Sequence, residues 1–208
     1  MPSGQRLLRR YFESIHRFFA SKLDEDVEDL VQNTFLGCIA SRDRFQKKSS
    51  FRTYLYSIAR RQLYRHLRDR YADDRHVDFG VTSVADLTTS ARTRLARDQQ
   101  RTVLARALSQ LPVRHQLLLE LYYWEDMNTA QLAEVFEVSR STVSTWLFRS
   151  REKLREQLTR NARALRLDDG IDGLDAWARE LKNKPAVRKR SEVAERLRHR
   201  RTSSVCLS

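Results

Sequence analysis

The chain has 208 residues, with 40 lysines and arginines against 27 aspartates and glutamates, which gives a formal net charge of +13. Five glycines and three prolines are too few for a β-sandwich or a glycine-rich phosphate-loop enzyme, so the composition favours helices. No disulfide framework, signal peptide or apolar run long enough to cross a bilayer is present, which predicts a cytoplasmic protein without membrane insertion. The positive surplus indicates a polyanionic partner, because each phosphate that a cation neutralises releases counterions.

Two amphipathic helices are predicted near the beginning of the chain, from apolar residues that recur at three- and four-residue intervals. The first lies between Leu7 and Phe19, and the second between Val27 and Ile39. Acidic residues crowd the start of the second helix: Asp24, Glu25, Asp26, Glu28 and Asp29. They suit the positive end of the helix dipole. Two interpretations stay open, a capping role and an acidic docking face for a basic partner.

A basic and aromatic helix is predicted over residues 51–68, after two candidate N-cap residues, Ser49 and Ser50. One side of it carries Phe51, Leu55, Ile58, Ala59 and Gln62, and the other carries Arg60, Arg61, Tyr64 and Arg68. Cations bind a phosphate backbone and aromatic rings stack on unpaired bases, so this mixture is typical of single-stranded nucleic-acid binding. A solvated basic face with incidental tyrosines is the alternative.

The middle of the chain reads as a linker between two helical domains. Residues 73–92 hold two basic and four acidic side chains, with Gly80 and a polar run at 88–90, and they lack sustained periodicity. The sequence therefore predicts domains at 3–72 and 94–160, a linker at 73–93 and a C-terminal extension at 161–208. In the extension, an apolar stripe from Ile171 to Leu181 predicts a short helix, followed by a basic end.

Three helices are predicted before residue 137 in the second domain. Apolar residues from Leu95 to Leu111 form the first, which ends near Pro112, and the fixed φ of that proline suits the first turn of the next helix. The second continues to about residue 124. In the short third helix, Asn128 and Gln131 have the spacing of a capping box.

The short helix, a turn at 137–139 and a helix over 140–154 make a helix-turn-helix pattern. Ser139 is the predicted cap of the last helix, and four apolar residues face inward: Val138, Val143, Trp146 and Leu147. The residues left outward or flanking are Ser141, Ser144, Thr145, Phe148, Arg149 and Arg151. Short hydroxyl side chains can reach phosphates and base edges in a major groove, and arginines can pair with phosphate or guanine. A plain helical hairpin with the same spacing is the alternative.

Together these motifs resemble the bacterial sigma factors of the extracytoplasmic-function (ECF) type, which keep only sigma domains two and four. The resemblance covers roughly residues 5–158, through the motifs at 26–36 and 50–60, the Leu111-Pro112 step and the helix-turn-helix. It implies an all-α fold of two small helical domains, joined by a linker and followed by a helical tail. The implied function is an alternative sigma factor that binds core RNA polymerase and recognises and melts promoter DNA, with no catalytic residues of its own.

The resemblance also implies which residues carry each role. The residues implied to bind the β′ coiled coil of core RNA polymerase are Asp26, Asp29, Leu30, Gln32 and Phe35. Recognition and melting of the minus-ten sequence fall to Arg52, Tyr54, Arg60, Arg61, Tyr64, Arg65 and Arg68. Recognition of the minus-thirty-five sequence falls to Arg140, Ser141, Thr142, Ser144, Thr145, Phe148, Arg149 and Arg151. The implied partners also include the polymerase β flap and an anti-sigma factor. The histidines are scattered, so no metal or cofactor is predicted.

The chain departs from the family's usual pattern at several positions. Arg61 stands where asparagine is common, Arg65 where an acid is common, and Ser144 and Trp146 where basic residues are frequent. Glu137 stands where glycine is common, which costs up to about 1–2 kcal/mol if the turn is left-handed.

Two other functions stay open at the level of sequence. A free-standing helix-turn-helix regulator would leave the acidic and the basic helix of the first domain unexplained. A recombinase would need an activated nucleophile, and the superficial candidate Tyr64 has no general base arranged around it.

Overall fold

The structure is a computed structural model, and it describes residues 2–41, 50–71, 78–83 and 99–164. These residues form seven α-helices and no strand, with one isolated antiparallel bridge between Ser83 and Pro112. The all-α prediction is confirmed for this part of the chain. The predicted helix at 171–181 and the rest of the extension after residue 164 lie outside the described residues.

The first half of the chain folds into three helices, α1 (Pro2–Ala20), α2 (Val27–Ala40) and α3 (Phe51–Tyr71), as the apolar periodicity predicts. α3 packs against both α1 and α2. Gly37 of α2 lets α3 approach closely, because a β-carbon at this position would lie 3.2 Å from Cγ2 of Ile58. The core between the three helices is formed by fully buried apolar side chains, among them Ile15, Phe19, Leu55 and Leu63.

The acidic residues at the start of α2 divide between two roles. Glu28 and Asp29 lie in the first turn, where the helix dipole favours negative charge. Asp26 precedes the helix with a left-handed backbone (φ 59°) and makes no side-chain capping hydrogen bond. Instead Arg70 of α3 donates to Asp26 at 3.4 Å and to Glu25 at 2.8 Å. Part of the cluster therefore joins α2 to the end of α3.

The second half contains α4 (Gln99–Ser109), α5 (Val113–Tyr123), α6 (Thr129–Phe136) and α7 (Arg140–Ala164). Pro112 lies one residue before α5, at its N-cap position. The predicted beginning of the first of these helices, at Leu95, lies outside the described residues. α7 extends ten residues beyond the predicted end at residue 154 and packs against α4, α5 and α6.

The helix-turn-helix, which comprises α6, the turn at 137–139 and α7, has the caps that the sequence predicts. Asn128 accepts the Gln131 backbone N–H at 2.9 Å, and the Gln131 side chain accepts the Asn128 N–H at 3.0 Å, which completes a capping box. Ser139 Oγ accepts the Thr142 backbone N–H at 3.1 Å and so caps α7. Glu137 is left-handed, with φ 60° and ψ 42°. The helix-turn-helix is therefore present with its expected caps.

The two halves pack against each other within one compact unit, Met1–Asp172. α3 contacts α6, and one continuous hydrophobic core includes residues from both halves. Lys22, after α1, forms an ion pair with Glu120 of α5 across the junction. The boundaries 3–72 and 94–160 stay a prediction, since the two helical groups share this core.

Candidate nucleic-acid interface

α7 presents a row of polar, basic and aromatic side chains to solvent. Its inner face is fixed by buried Val143 and Leu147, with Val138 and Trp146 half-buried beside them, as predicted. The exposed residues are Arg140, Ser141, Ser144, Thr145, Phe148 and Arg149. Phe148 is a large apolar side chain with 67% of its surface exposed. An apolar ring that stays in water between hydroxyls and an arginine is suited to contact a ligand.

The hydroxyl groups of this row are oriented by the helix itself. Ser144 donates to the Arg140 carbonyl at 3.1 Å, and Thr145 donates to the Ser141 carbonyl at 3.1 Å. Each hydroxyl proton is thereby used, while the oxygen lone pairs remain able to accept. The row therefore combines acceptors for base amino groups with the cationic donor of Arg149.

Two predicted residues of this helix are held by other parts of the fold. Arg151 Nε donates to the Tyr123 hydroxyl at 2.9 Å, and its guanidinium lies 5.1 Å from the ring centroid of Tyr122. Thr142 is half-buried, and its hydroxyl lies 2.8 Å from Ser139 Oγ. Arg151 therefore contacts α5, and Thr142 contacts the residue that caps α7. Neither side chain belongs to the exposed row.

α3 carries a basic face made of Arg61, Arg65 and Arg68, all exposed, with Arg60 and Tyr64 half-buried beside them. The guanidinium of Arg60 lies 5.4 Å from the ring centroid of Tyr64. Burial raises the pKa of Tyr64 to about 12, against the opposing effect of nearby arginine charges. The structure thus brings five of the seven predicted minus-ten residues together on one surface.

The other two minus-ten residues are placed differently. Arg52 is nine residues before Arg61, which puts the two about half a turn apart around α3. Tyr54 is half-buried, and its hydroxyl donates to the side chain of Ser41 after α2. Tyr54 therefore contributes to α2–α3 packing.

Groups from the 78–83 segment and from the turn between α6 and α7 cover part of the α3 face. The ring of Phe79 stacks on Tyr64 at a centroid distance of 4.1 Å and an interplanar angle of 12°. Glu137 forms ion pairs with Arg61 and, at 3.3 Å, with Arg60. Burial alone would raise the pKa of Glu137, but the hydrogen bonds and charges of these two arginines lower it below its ordinary value. Glu137 is therefore a carboxylate at neutral pH.

α2 presents an exposed surface of mixed character. Asp29 and Gln32 are exposed, and so are two large apolar side chains, Leu36 (51%) and Ile39 (68%). The apolar spacing predicts that Ile39 belongs to the buried stripe of α2, and this prediction is wrong: α2 is covered by α1 and α3 on one side, and Ile39 lies on the other. The sequence of α2 does not reveal that Ile39 is exposed, since the apolar spacing continues unbroken from Val27 to Ile39.

The remaining residues predicted to bind polymerase lie elsewhere. Leu30 and Phe35 are buried in the hydrophobic core, where they are out of reach of a partner on the surface. Asp26 is exposed but paired with Arg70. Among residues 2–41, 50–71, 78–83 and 99–164, no group of three or more histidine, cysteine or carboxylate side chains could hold a metal ion.

Comparison with known families identifies both halves of the chain. Residues 5–72 match the family Sigma-70 region 2, and residues 101–154 match Sigma-70, region 4. The chain belongs to the sigma-70 family and is of the ECF type. The predicted resemblance is thereby confirmed. α3 of this sigma factor lies within the first matched region, and residues 140–154 of α7 lie within the second.

Individual relatives agree with this assignment. The sigma factor is 28% identical over 168 residues to RNA polymerase sigma factor YlaC of Bacillus subtilis, covering 76% of this chain and 94% of that one. It is 24% identical to ECF RNA polymerase sigma factor SigW of the same species, over 64% and 75% of the two chains. Its fold is similar to that of the sigma factor RpoE, solved in complex with the anti-sigma factor NepR from Bartonella quintana. That match has a TM-score of 0.60 and 18% identity, and it covers 81% of this chain and 100% of the other.

None of the helices that the structure describes in this sigma factor combines the length and apolar character required to cross a membrane.

Proposed function

We propose that this sigma factor binds core RNA polymerase through α2, contacts the minus-ten sequence through α3 and reads the minus-thirty-five sequence through α7. The observation that carries the proposal is that one chain combines both sigma-70 regions with an exposed, mixed acidic and apolar face on α2 and two basic helices. The polymerase supplies the chemistry of RNA synthesis, so the sigma factor needs no catalytic group of its own. Its place of action is the cytoplasm, where the polymerase works.

The assignment of α7 to duplex DNA rests on the exposed row. Hydroxyl acceptors at Ser144 and Thr145 and a guanidinium at Arg149 supply the contacts that a helix makes in a major groove. Phe148 adds an apolar surface able to contact a thymine methyl group. The helix is held rigidly from behind by α4, α5 and α6, which keeps these groups in a fixed register.

The assignment of α3 to opened DNA rests on charge and aromatic surface. Arg61, Arg65 and Arg68 offer three exposed cations along about two turns, enough to follow a phosphate backbone. Tyr64 lies among them, and its ring already stacks on another aromatic side chain. A ring in that setting can stack on an unpaired base.

The assignment of α2 to the polymerase rests on Asp29 and Gln32 beside Leu36 and Ile39. Exposed aliphatic side chains next to an acidic group are suited to a partner surface that is itself apolar and basic. The β′ coiled coil is the proposed partner for this face, the β flap is proposed for the second half, and an anti-sigma factor is proposed as a regulator.

Reconstitution with purified core RNA polymerase tests the proposal. The full chain is expected to co-elute with the core enzyme and to start transcripts at discrete genomic positions. Asp29→Lys is expected to reduce co-elution at least tenfold, because it reverses the charge of the α2 face. Glu13→Lys, which changes an exposed acid on α1 in the same way, is the matched control and retains binding.

Circular dichroism melting of both variants separates lost binding from lost folding. Specific DNA binding by the chain without any association with core polymerase would favour the free-standing regulator instead. Equal co-elution of both variants would remove α2 as the polymerase-binding surface.

A further inference from the structure

The start of α5 brings a positive charge to one edge of α7. His115 Nδ1 lies 2.7 Å from the Ser150 hydroxyl, and this contact sets the first turn of α5 against the middle of α7. The neighbouring residue, Arg114, places its guanidinium over the ring of Trp146, at 4.4 Å from the ring centroid. Trp146 lies one turn before Ser150 on α7. A residue of α5 therefore adds a cation to the surface of α7.

The guanidinium of Arg114 is packed in place but is not neutralised. Gly80 leaves room for it, because a β-carbon at this position would overlap Nη2. The Arg114 backbone N–H donates to the Phe79 carbonyl at 2.9 Å, which fixes the start of α5 on the same segment. Nε of Arg114 is buried without a hydrogen-bond partner, while the residue as a whole stays partly exposed. Among the described residues, no carboxylate pairs with this guanidinium.

α7 contributes two further cations beside Arg114. Arg149 and Lys153 are both exposed and lie one turn apart, one before and one after Ser150 in the sequence. All three charges act on His115, whose pKa they lower in the same direction as its burial does. No carboxylate in the part of the chain that the structure describes pairs with Arg149 or Lys153. Three unpaired positive charges therefore lie close together at the contact between α5 and α7.

The arginines on the opposite flank of α7 are engaged within the fold. Arg151 donates to the Tyr123 hydroxyl at 2.9 Å, and Arg155 forms an ion pair with Glu152. The flank that carries Arg149 and Lys153 thus differs from the other in having its cations available to a ligand.

Trp146 is itself a departure from the family pattern, since basic residues are frequent at its position. A basic residue there would place a cation directly on this edge of α7. The tryptophan ring instead holds the guanidinium of Arg114 by a cation–π contact. A positive charge is therefore present at the same edge, although a different helix supplies it.

We propose that Arg114, Arg149 and Lys153 form a phosphate-binding patch that contacts the backbone of the minus-thirty-five duplex along one edge of α7. The patch rests on the proposed role of α7 in binding duplex DNA, and it extends that interface to a residue of α5. A helix in the major groove has a phosphate strand along each edge, so cations at its edge meet backbone oxygens. In this patch Arg114 replaces the basic residue that α7 lacks at Trp146.

Binding of a fluorescein-labelled duplex that spans only the upstream element of a promoter tests the patch. The duplex is taken from a promoter that the reconstituted polymerase uses, and the full chain is assembled with core RNA polymerase. Arg114→Gln is expected to weaken binding roughly three- to tenfold and to reduce the slope of log affinity against log salt by about one. Lys153→Gln is expected to give losses of the same size. Arg106→Gln, which removes an exposed cation from α4, is the matched control.

Two further measurements distinguish a phosphate contact from a base contact. The loss in Arg114→Gln is expected to be equal for the promoter duplex and for a scrambled duplex, because a phosphate contact carries no sequence information. Trp146→Lys combined with Arg114→Gln is expected to restore the salt slope, because it returns a cation to the edge of α7. A rescue variant that leaves the slope reduced would overturn the replacement of one cation by the other.

The remaining outcomes separate the patch from the role of α7. An unchanged salt slope in Arg114→Gln, with a reduced slope in Arg149→Ala, would overturn the patch and leave the role of α7 intact. Failure of the assembled complex to bind the duplex would overturn that role and the patch with it. Arg106→Gln matching Arg114→Gln would show an effect of net charge alone and would also overturn the patch. Circular dichroism melting confirms that each variant is folded.

Discussion

His115 is a buried histidine that stays neutral inside the second half of the chain. Its Nδ1 lies 2.7 Å from the Ser150 hydroxyl, which links α5 to α7. Burial, and then the positive charges of Arg114, Lys153 and Arg149, lower its pKa from the ordinary 6.5 to about 4. Because the pKa of His115 is lower in the folded protein than in the unfolded chain, the stability of the protein depends on pH.

The direction of that dependence follows from proton uptake. Between pH 6.5 and pH 4 the unfolded chain binds the proton and the folded protein does not, so stability falls as the pH falls. We expect His115 to remove about 2 kcal/mol of unfolding free energy between pH 7.5 and pH 5. His115→Asn is expected to be less stable at pH 7.5 but to lose this part of the pH dependence.

Urea unfolding at the two pH values measures the effect. His16→Asn is the control, because His16 is a partly exposed histidine on α1 whose removal leaves the buried site intact. An unchanged pH dependence in His115→Asn would contradict the assignment.

Glu137 shows which properties of a single residue can be read from a sequence. Its left-handed conformation is foreseeable, because it occupies the turn of a helix-turn-helix pattern. Its pairing with Arg61 is not, since the two residues are 76 positions apart and no local pattern records such a partner. The stacking of Phe79 on Tyr64 escapes prediction for the same reason, since the linker has no periodicity.

At the scale of the element, apolar spacing and capping residues predict all seven described helices but not all of their ends: α1 begins five residues before Leu7, and α7 continues ten residues beyond residue 154. The prediction is less accurate for the faces of α3. Thr53, Tyr56, Ser57, Leu63 and Leu67 are buried although they lie outside the predicted apolar side. α3 packs against α1, α2 and α6, so most of its circumference is covered. Periodicity identifies one buried face but gives no count of the neighbours that a helix will acquire.

Two arginines of α7 are expected to differ in their contribution to DNA binding. Arg149 belongs to the exposed row, whereas Arg155 is also exposed but forms an ion pair with Glu152 on another side of the helix. We expect Arg149→Ala to weaken binding to a minus-thirty-five duplex about tenfold and to reduce the salt dependence by about one phosphate contact. Arg155→Ala is expected to change neither quantity appreciably.

Fluorescence anisotropy of a labelled promoter duplex at several salt concentrations measures both quantities. Equal losses in the two variants would mean that α7 attracts DNA through its overall charge and would exclude Arg149 from a specific contact.

At the scale of the whole molecule, Lys22 is a buried polar connection between the two halves. Only 1% of its surface is exposed, and its ammonium donates to the Phe18 carbonyl and Ser21 Oγ, each at 2.7 Å, and to Glu120. Burial lowers the pKa of Lys22, and the Glu120 carboxylate opposes that effect. Its three hydrogen bonds match the three donors of a charged ammonium group.

Removal of Lys22 therefore leaves a carboxylate without its partner. We expect Lys22→Met to lower the unfolding free energy by roughly 3 kcal/mol, because breaking a buried pair costs more than the pair contributes. The double variant Lys22→Met with Glu120→Gln is expected to recover most of that loss. Guanidinium unfolding of the two single variants and the double variant gives the coupling energy, and additive losses would show that the two groups act independently.

The single cysteine among the described residues, Cys38 of α2, is protected from oxidants by its burial. It is buried, and burial raises the pKa of its thiol to about 11. At pH 7 only about one molecule in ten thousand carries the reactive thiolate, so peroxide or alkylating agents reach it mainly when the helices around it open. A signal of oxidative stress would therefore have to act on this sigma factor through some group other than Cys38.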